Sequence, residues 1–149
     1  MTDLLLACLH HLVVFSLVTI PAVELALMRG QVNALRIRHL ARLDAAYGAL
    51  AGLILVIGFG RVFHGAKGPD FFLHNPVFWA KIAFFALVGL VSIVPTVRVL
   101  RWKKALRRDA AFVALPAELA STRRWLVIEL CLFVPIPLLA AAMARGVGL

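Results

Sequence analysis

Acidic side chains are scarce in this chain: seven Asp and Glu stand against sixteen Lys and Arg in 149 residues, a formal net charge of +9. Cysteine is rarer still. Cys8 and Cys131 both lie within apolar runs, with no CxxC and no Cys/His spacing, so neither a disulfide framework nor a zinc site is expected. As small buried hydrophobes they need no further role. A basic leader is missing too, because only MTD precedes the first apolar run. That run is longer than the about 7 to 15 residues of a secretory signal, so it is expected to stay uncleaved. The net charge does not point to nucleic acid, because the basic residues fall in two clusters between hydrophobic segments, where they read as topology determinants.

Hydrocarbon is what the chain has in abundance. It is 63% hydrophobic with a mean hydropathy of +0.97, whereas soluble domains are about 45 to 50% apolar. An all-α integral membrane protein follows, expected as a single transmembrane domain over residues 1–149 with spans near 4–28, 45–63, 77–100 and 125–144. Each is close to the about 20 residues that cross a bilayer core. Pro21, Pro95, Pro135 and Pro137 predict kinks in three of them. In the second span Gly48 and Gly52 form a GxxxG, a pattern that permits close backbone approach of a neighbouring helix.

The connections are polar and basic. Residues 29–44 interleave Arg29, Arg36, Arg38, His39 and Arg42 with Val32, Leu35, Leu40 and Leu43, which predicts a short amphipathic helix along the headgroups. Residues 101–124, with Trp102 and a Pro116 break, predict a second interfacial helix and a turn, and residues 64–76 an ordered loop. Arg and Lys crowd the first and third connections, and on the opposite side stand Arg61, Lys67 and Arg145. The positive-inside rule then places both basic connections in the cytoplasm and both termini in the periplasm of a bacterial inner membrane. The expected fold is a four-helix up-down bundle with two interfacial helices on its cytoplasmic side.

Helical rise sorts the intramembrane charges by height. His10 and Lys81 lie roughly 9 and 6 Å from the outer ends of their spans, at 1.5 Å per residue. With His11, Arg61, His64 and His74 they predict an outer cluster of nitrogen-bearing side chains. Glu24 and Glu129 lie at similar depths from the inner ends, with Asp44, Tyr47 and Arg98 near that level, so an inner acidic cluster is expected. A bundle histidine can present its imidazole to the iron of a haem inserted between helices, with cations beside the propionates. The bland readings are that His10 hydrogen-bonds a neighbouring helix, that Lys81 snorkels, and that Glu24 and Glu129 form salt bridges with Arg29, Arg98 or Arg124. For the two glutamates the bland reading is the preferred one, with a proton relay as the functional alternative.

The stretches ACLHHLVVFSLV, ELALMR and FHGAKGPDFFLHNPVFWAKIAFFALVGLVSIVPTVRVLRWKKAL resemble a family of small predicted bacterial membrane proteins that carries a topology but no activity. Leu9–His10 in the first span and Trp79–Lys81 in the third are similar to motifs of the HemJ-type protoporphyrinogen oxidases and the wider copper-resistance D superfamily. Leu17 and the Glu24 region stand where that pattern has a tryptophan and a Pro-Arg pair. The resemblance implies haem b, with His10 as iron ligand and Lys81 as the functional residue beside it. The expectation is a b-haem membrane redox protein in which the first and third spans stand side by side, with quinone or porphyrin as electron partner and a homodimer as its assembly. The alternative is a non-enzymatic accessory subunit or small-solute permease whose polar residues mainly pair helices.

Overall fold

A computed structural model describes residues 2–64 and 68–148, with the backbone alone at positions 2, 3 and 64. Every regular element among them is a helix, as lipid demands of a chain that cannot leave backbone groups unpaired. They are α1 (Thr2–Leu27), α2 (Ala34–His64), α3 (Gly68–Leu73), α4 (Pro76–Arg108), α5 (Pro116–Phe133) and α6 (Pro135–Ala144). Four stretches are long and apolar enough to cross a membrane, the fourth being α5 and α6 together.

Local chemistry sets the helix ends. Asn33 accepts the Arg36 N–H at 3.1 Å and opens α2. Asn75 does the same for α4, taking the Val77 N–H at 2.8 Å with Pro76 at the first helical position. The break between α5 and α6 follows from Pro135 and Pro137, which have no N–H to give. Val134 turns its own N–H to the Cys131 carbonyl at 3.2 Å instead.

Neither expected interfacial helix is a separate element. Residues 34–44 are the opening turns of α2, and α4 runs without interruption to Arg108. The reason is burial: Ile37, Leu40, Ala41, Val99 and Trp102 pack with Met28, Val32, Ala114, Leu119 and Leu126 in one apolar cluster. Their apolar faces are therefore spent on protein, not on headgroups. The 64–76 connection also departs from a plain loop, because residues 68–73 form α3.

The packing closes a ring. α1 packs against α2 and α5, α2 against α4, and α4 against α5 and α6. Since α1 and α4 make no backbone contact, the first and third spans stand diagonally and not side by side. The core stripes follow 3–4 spacing, as in coiled coils: Phe78, Lys81, Phe85, Val88, Ser92, Pro95, Val99 and Trp102 on α4, and Leu119, Thr122, Leu126, Glu129 and Phe133 on α5. Gly48 and Gly52 are exposed, and a Cβ on either would meet nothing within 4 Å. No helix uses that GxxxG for close approach.

Three apolar clusters stack along the bundle. The first is the one around Trp102, at the end carrying the basic connections. The second holds Val13, Leu17, Tyr47, Ile54, Ile57, Val88 and Phe133. The third, at the opposite end, holds Val62, Phe78 and Met143 with Phe71, Phe72 and Val77 against it. Polar side chains occupy the two levels between them.

Candidate functional site

The level toward the opposite end is cationic. His10 stands on the buried stripe of α1, one turn before Val13, and its Nδ1 is buried without a hydrogen-bond partner. The charged groups whose fields reach it are Arg61 of α2, then Lys81 of α4, then His11. Arg61 belongs to the Tyr47–Ile54–Arg61 stripe, and its Nε is likewise buried and unpartnered. Lys81 is half-buried with Nζ 5.2 Å from the centroid of the Phe78 ring, so its ammonium rests on an aromatic face instead of snorkelling outward. Diagonal placement of α1 and α4 still lets His10 and Lys81 share this level, with Arg61 reaching in from the helix between them.

The remaining expected members stand apart. His11 is exposed, edge-on to His10 with ring centroids 6.1 Å apart, and its Nδ1 meets the Ala7 carbonyl of its own helix at 2.6 Å. His74 is exposed beside α3, its Nδ1 3.1 Å from the Asp70 carbonyl oxygen. The side chain of His64 lies outside the described residues. No three described His, Cys, Asp or Glu side chains converge closely enough to hold a metal ion.

The level toward the basic end is acidic. Glu24 and Glu129 are 4% and 1% exposed, and Glu24 Oε1 has no hydrogen-bond partner. Asp44 and Glu129 are the charged groups that Glu24 meets. The Tyr47 hydroxyl hydrogen-bonds Glu129, and the Thr96 hydroxyl donates to Asp44 Oδ1 at 2.5 Å. None of the expected salt bridges forms, because Arg98 is drawn to the Glu118 carbonyl at 3.3 Å and no cation reaches Glu24. Pro21, Glu24, Asp44, Tyr47, Ser92, Pro95, Thr96 and Glu129 line a narrow, partly open crevice.

Ser92, Thr96 and the two prolines are the members of this level that composition and depth did not single out. Their signal is the 3–4 register of α4, which puts Ser92 and Pro95 in line with Val88 and Val99. A second groove, bounded by Leu12, Phe15, Ser16, Thr19, Ile20 and Leu50, lies on the outer faces of α1 and α2. Its two hydroxyls are satisfied by their own helix, Ser16 on the Leu12 carbonyl and Thr19 on that of Phe15.

With the helices and both polar levels in place, the sequence comparisons decide the family. The profile of the family described as "Predicted membrane protein (DUF2214)" matches residues 2–148. The chain belongs to that family. No curated protein and no solved structure matches it. Membership covers nearly every residue named above, including His10, Arg61, Lys81, Glu24 and Glu129. The family description adds membrane residence to the four candidate spans of this chain, but no chemistry.

Proposed function

We propose that this DUF2214 protein is a redox protein of the bacterial inner membrane that holds a b-type haem at its cationic level. The observation that carries the reading is the buried, unpartnered Nδ1 of His10 at the level of two cations, Arg61 and Lys81, that meet no carboxylate there among the described residues. An uncompensated charge at membrane depth is costly, so this level calls for an anionic ligand that also accepts an imidazole. A haem satisfies both demands through its iron and its propionates. His10 would be the iron ligand, Lys81 and Arg61 would neutralise the propionates, and the open space beside Gly58 and Gly60 leaves room at the α2 surface. When bound, the group would supply one-electron chemistry, with a quinone or a porphyrin as partner. The likeness of Leu9–His10 and Trp79–Lys81 to HemJ-type motifs supports the same assignment.

The orientation belongs to this reading as well. An up-and-down bundle with both basic connections in the cytoplasm follows from the positive-inside rule. The cationic level then lies near the periplasmic face. The apolar residues that the bundle leaves on its surface suit contact with lipid, and a homodimer is the proposed assembly.

Absorption spectroscopy tests it. Protein purified in mild detergent from cells supplied with haem precursor should show a Soret band that His10→Ala abolishes and His11→Ala leaves in place. A colourless wild-type protein ends the proposal, and a band indifferent to His10→Ala removes that residue from the site. The alternative is a membrane accessory subunit or permease whose polar groups pair helices. It is favoured by the cross-helix bond between Thr96 and Asp44. It predicts a colourless protein in which His10→Ala costs only roughly 1 to 2 kcal/mol.

A further inference from the structure

The acidic level poses a question of charge that the cationic level cannot answer. Glu24 and His10 are 14 residues apart on α1, about 21 Å at the helical rise of 1.5 Å per residue. Between them lies the apolar cluster of Val13, Leu17, Ile54, Ile57, Val88 and Phe133. Arg61 and Lys81 are therefore no counter-charge for Glu24, Asp44 or Glu129. On the other side, Met28, Leu40, Val99, Trp102 and Leu126 separate the carboxylates from the basic connections.

Every helix at this level has been accounted for. α1 brings Glu24, α2 brings Asp44 and Tyr47, α4 brings Ser92 and Thr96, and α5 brings Glu129. The three carboxyl groups are thus met by hydroxyls alone. Tyr47 serves Glu129 and Thr96 serves Asp44, whereas Ser92 gives its proton to the Gly89 carbonyl at 2.8 Å. Glu24 receives none: it is 4% exposed, lines the crevice and leaves Oε1 unpartnered. No described cation or donor reaches its Oε1, and an isolated carboxylate so deeply buried is not sustained. What is missing is a positive charge.

We propose that this level is a proton-exchange site, in which Glu24 is the carboxyl that takes up and releases the proton and Glu129 and Asp44 are its acidic partners. Uptake forms one O–H bond on Glu24 and removes one negative charge from the crevice, and release reverses both. Tyr47 and Thr96 keep their own protons throughout, since each already donates to a carboxylate. Glu24 is three residues from the end of α1 at Leu27, about 5 Å by helical rise, so the basic end is the nearer source of the proton, although an apolar cluster stands on that side as well. Pro21 and Pro95 border the crevice, and each removes a helix hydrogen bond, freeing the carbonyls of Leu17 and Val91. The proposal is independent of haem at the cationic level.

Infrared spectroscopy of the full chain in lipid vesicles tests it. At neutral pH the wild type should show a carboxylic-acid carbonyl band that shifts in D₂O and is lost at alkaline pH. Glu24→Gln should remove most of that band, while His10→Ala, Asp70→Asn and Glu118→Gln leave it unchanged. Absence of the band from wild type at neutral pH would overturn the proposal, as would a band that survives Glu24→Gln in a folded protein. So would a band abolished by added sodium at constant pH, since the crevice would then be a metal-cation site. Should Glu24→Gln fail to elute as a folded species, Tyr47→Phe gives the second measurement: it must shift the frequency of the wild-type band, and an unmoved frequency counts against the site.

Discussion

Trp102 donates its indole N–H to Glu118 Oε2 at 2.9 Å, joining the last turns of α4 to the first turn of α5 around residues 109–115. The ring is 2% exposed and packs in the apolar cluster with Leu119 and Leu126. Both its hydrogen bond and its bulk therefore hold the basic end together. Trp102→Phe should cost about 1 kcal/mol for the lost bond, and Trp102→Ala about 3 to 5 kcal/mol for the cavity. Thermal unfolding in detergent would show the order, and equal losses for the two variants would assign the whole effect to the hydrogen bond.

Asn75 joins the opposite end. It is 0% exposed, caps α4 through Oδ1 and donates Nδ2 to the Val147 carbonyl at 3.1 Å. Asn75→Ala should destabilise by about 1 kcal/mol through the cap alone. Asn75→Asp keeps the acceptor, loses the donor and buries a charge against the Val147 carbonyl, so the expected result is a lowered melting temperature with faster carboxypeptidase trimming of residues 145–149. Gly148→Ala should reproduce that trimming, because its φ of +89° disfavours a side chain and a Cβ would stand 2.5 Å from Asn75 Oδ1.

Gly48 and Gly52 give a test of opposite sign. Since a Cβ at either meets open space, Ala should be tolerated and should stabilise α2 by about 0.5 to 1 kcal/mol per site. A measured loss of stability in Gly48→Ala or Gly52→Ala would mean that a second molecule packs there.

Lys81 is half-buried and meets no carboxylate among the described residues. Lys81→Met keeps the length of the side chain and removes the charge, so the ligand-free protein should gain about 1 kcal/mol or more in unfolding free energy. The same variant should weaken retention of haem under the proposed function. Improved stability with undiminished haem content would place the propionates elsewhere.

The Trp102 and Lys81 variants illustrate two kinds of information in the chain. Lys81, His10, Glu24 and Glu129 could be assigned a height from sequence, because the 1.5 Å rise turns position into depth. Their neighbours could not. Nothing in the spacing says that Arg98 turns to Glu118, which leaves Glu24 without a cation. Nor does it say that α1 faces α4 across a diagonal, since which helices touch depends on all four faces packing at once. The amphipathic pattern at 34–44 was legible as amphipathic, but whether its apolar face meets headgroups or Trp102 is a tertiary choice.

By itself, the amino-acid order determined how much of the chain is helix and how many times it can cross a bilayer, because both depend on sums over neighbouring residues. It also determined that cations and carboxylates occur at different depths. Tertiary structure alone decided that the two levels are sealed from each other by Val13, Leu17, Val88 and Phe133. Only there do side chains distant in sequence pack against each other, and that packing leaves each set of charges without a counter-ion among the described residues.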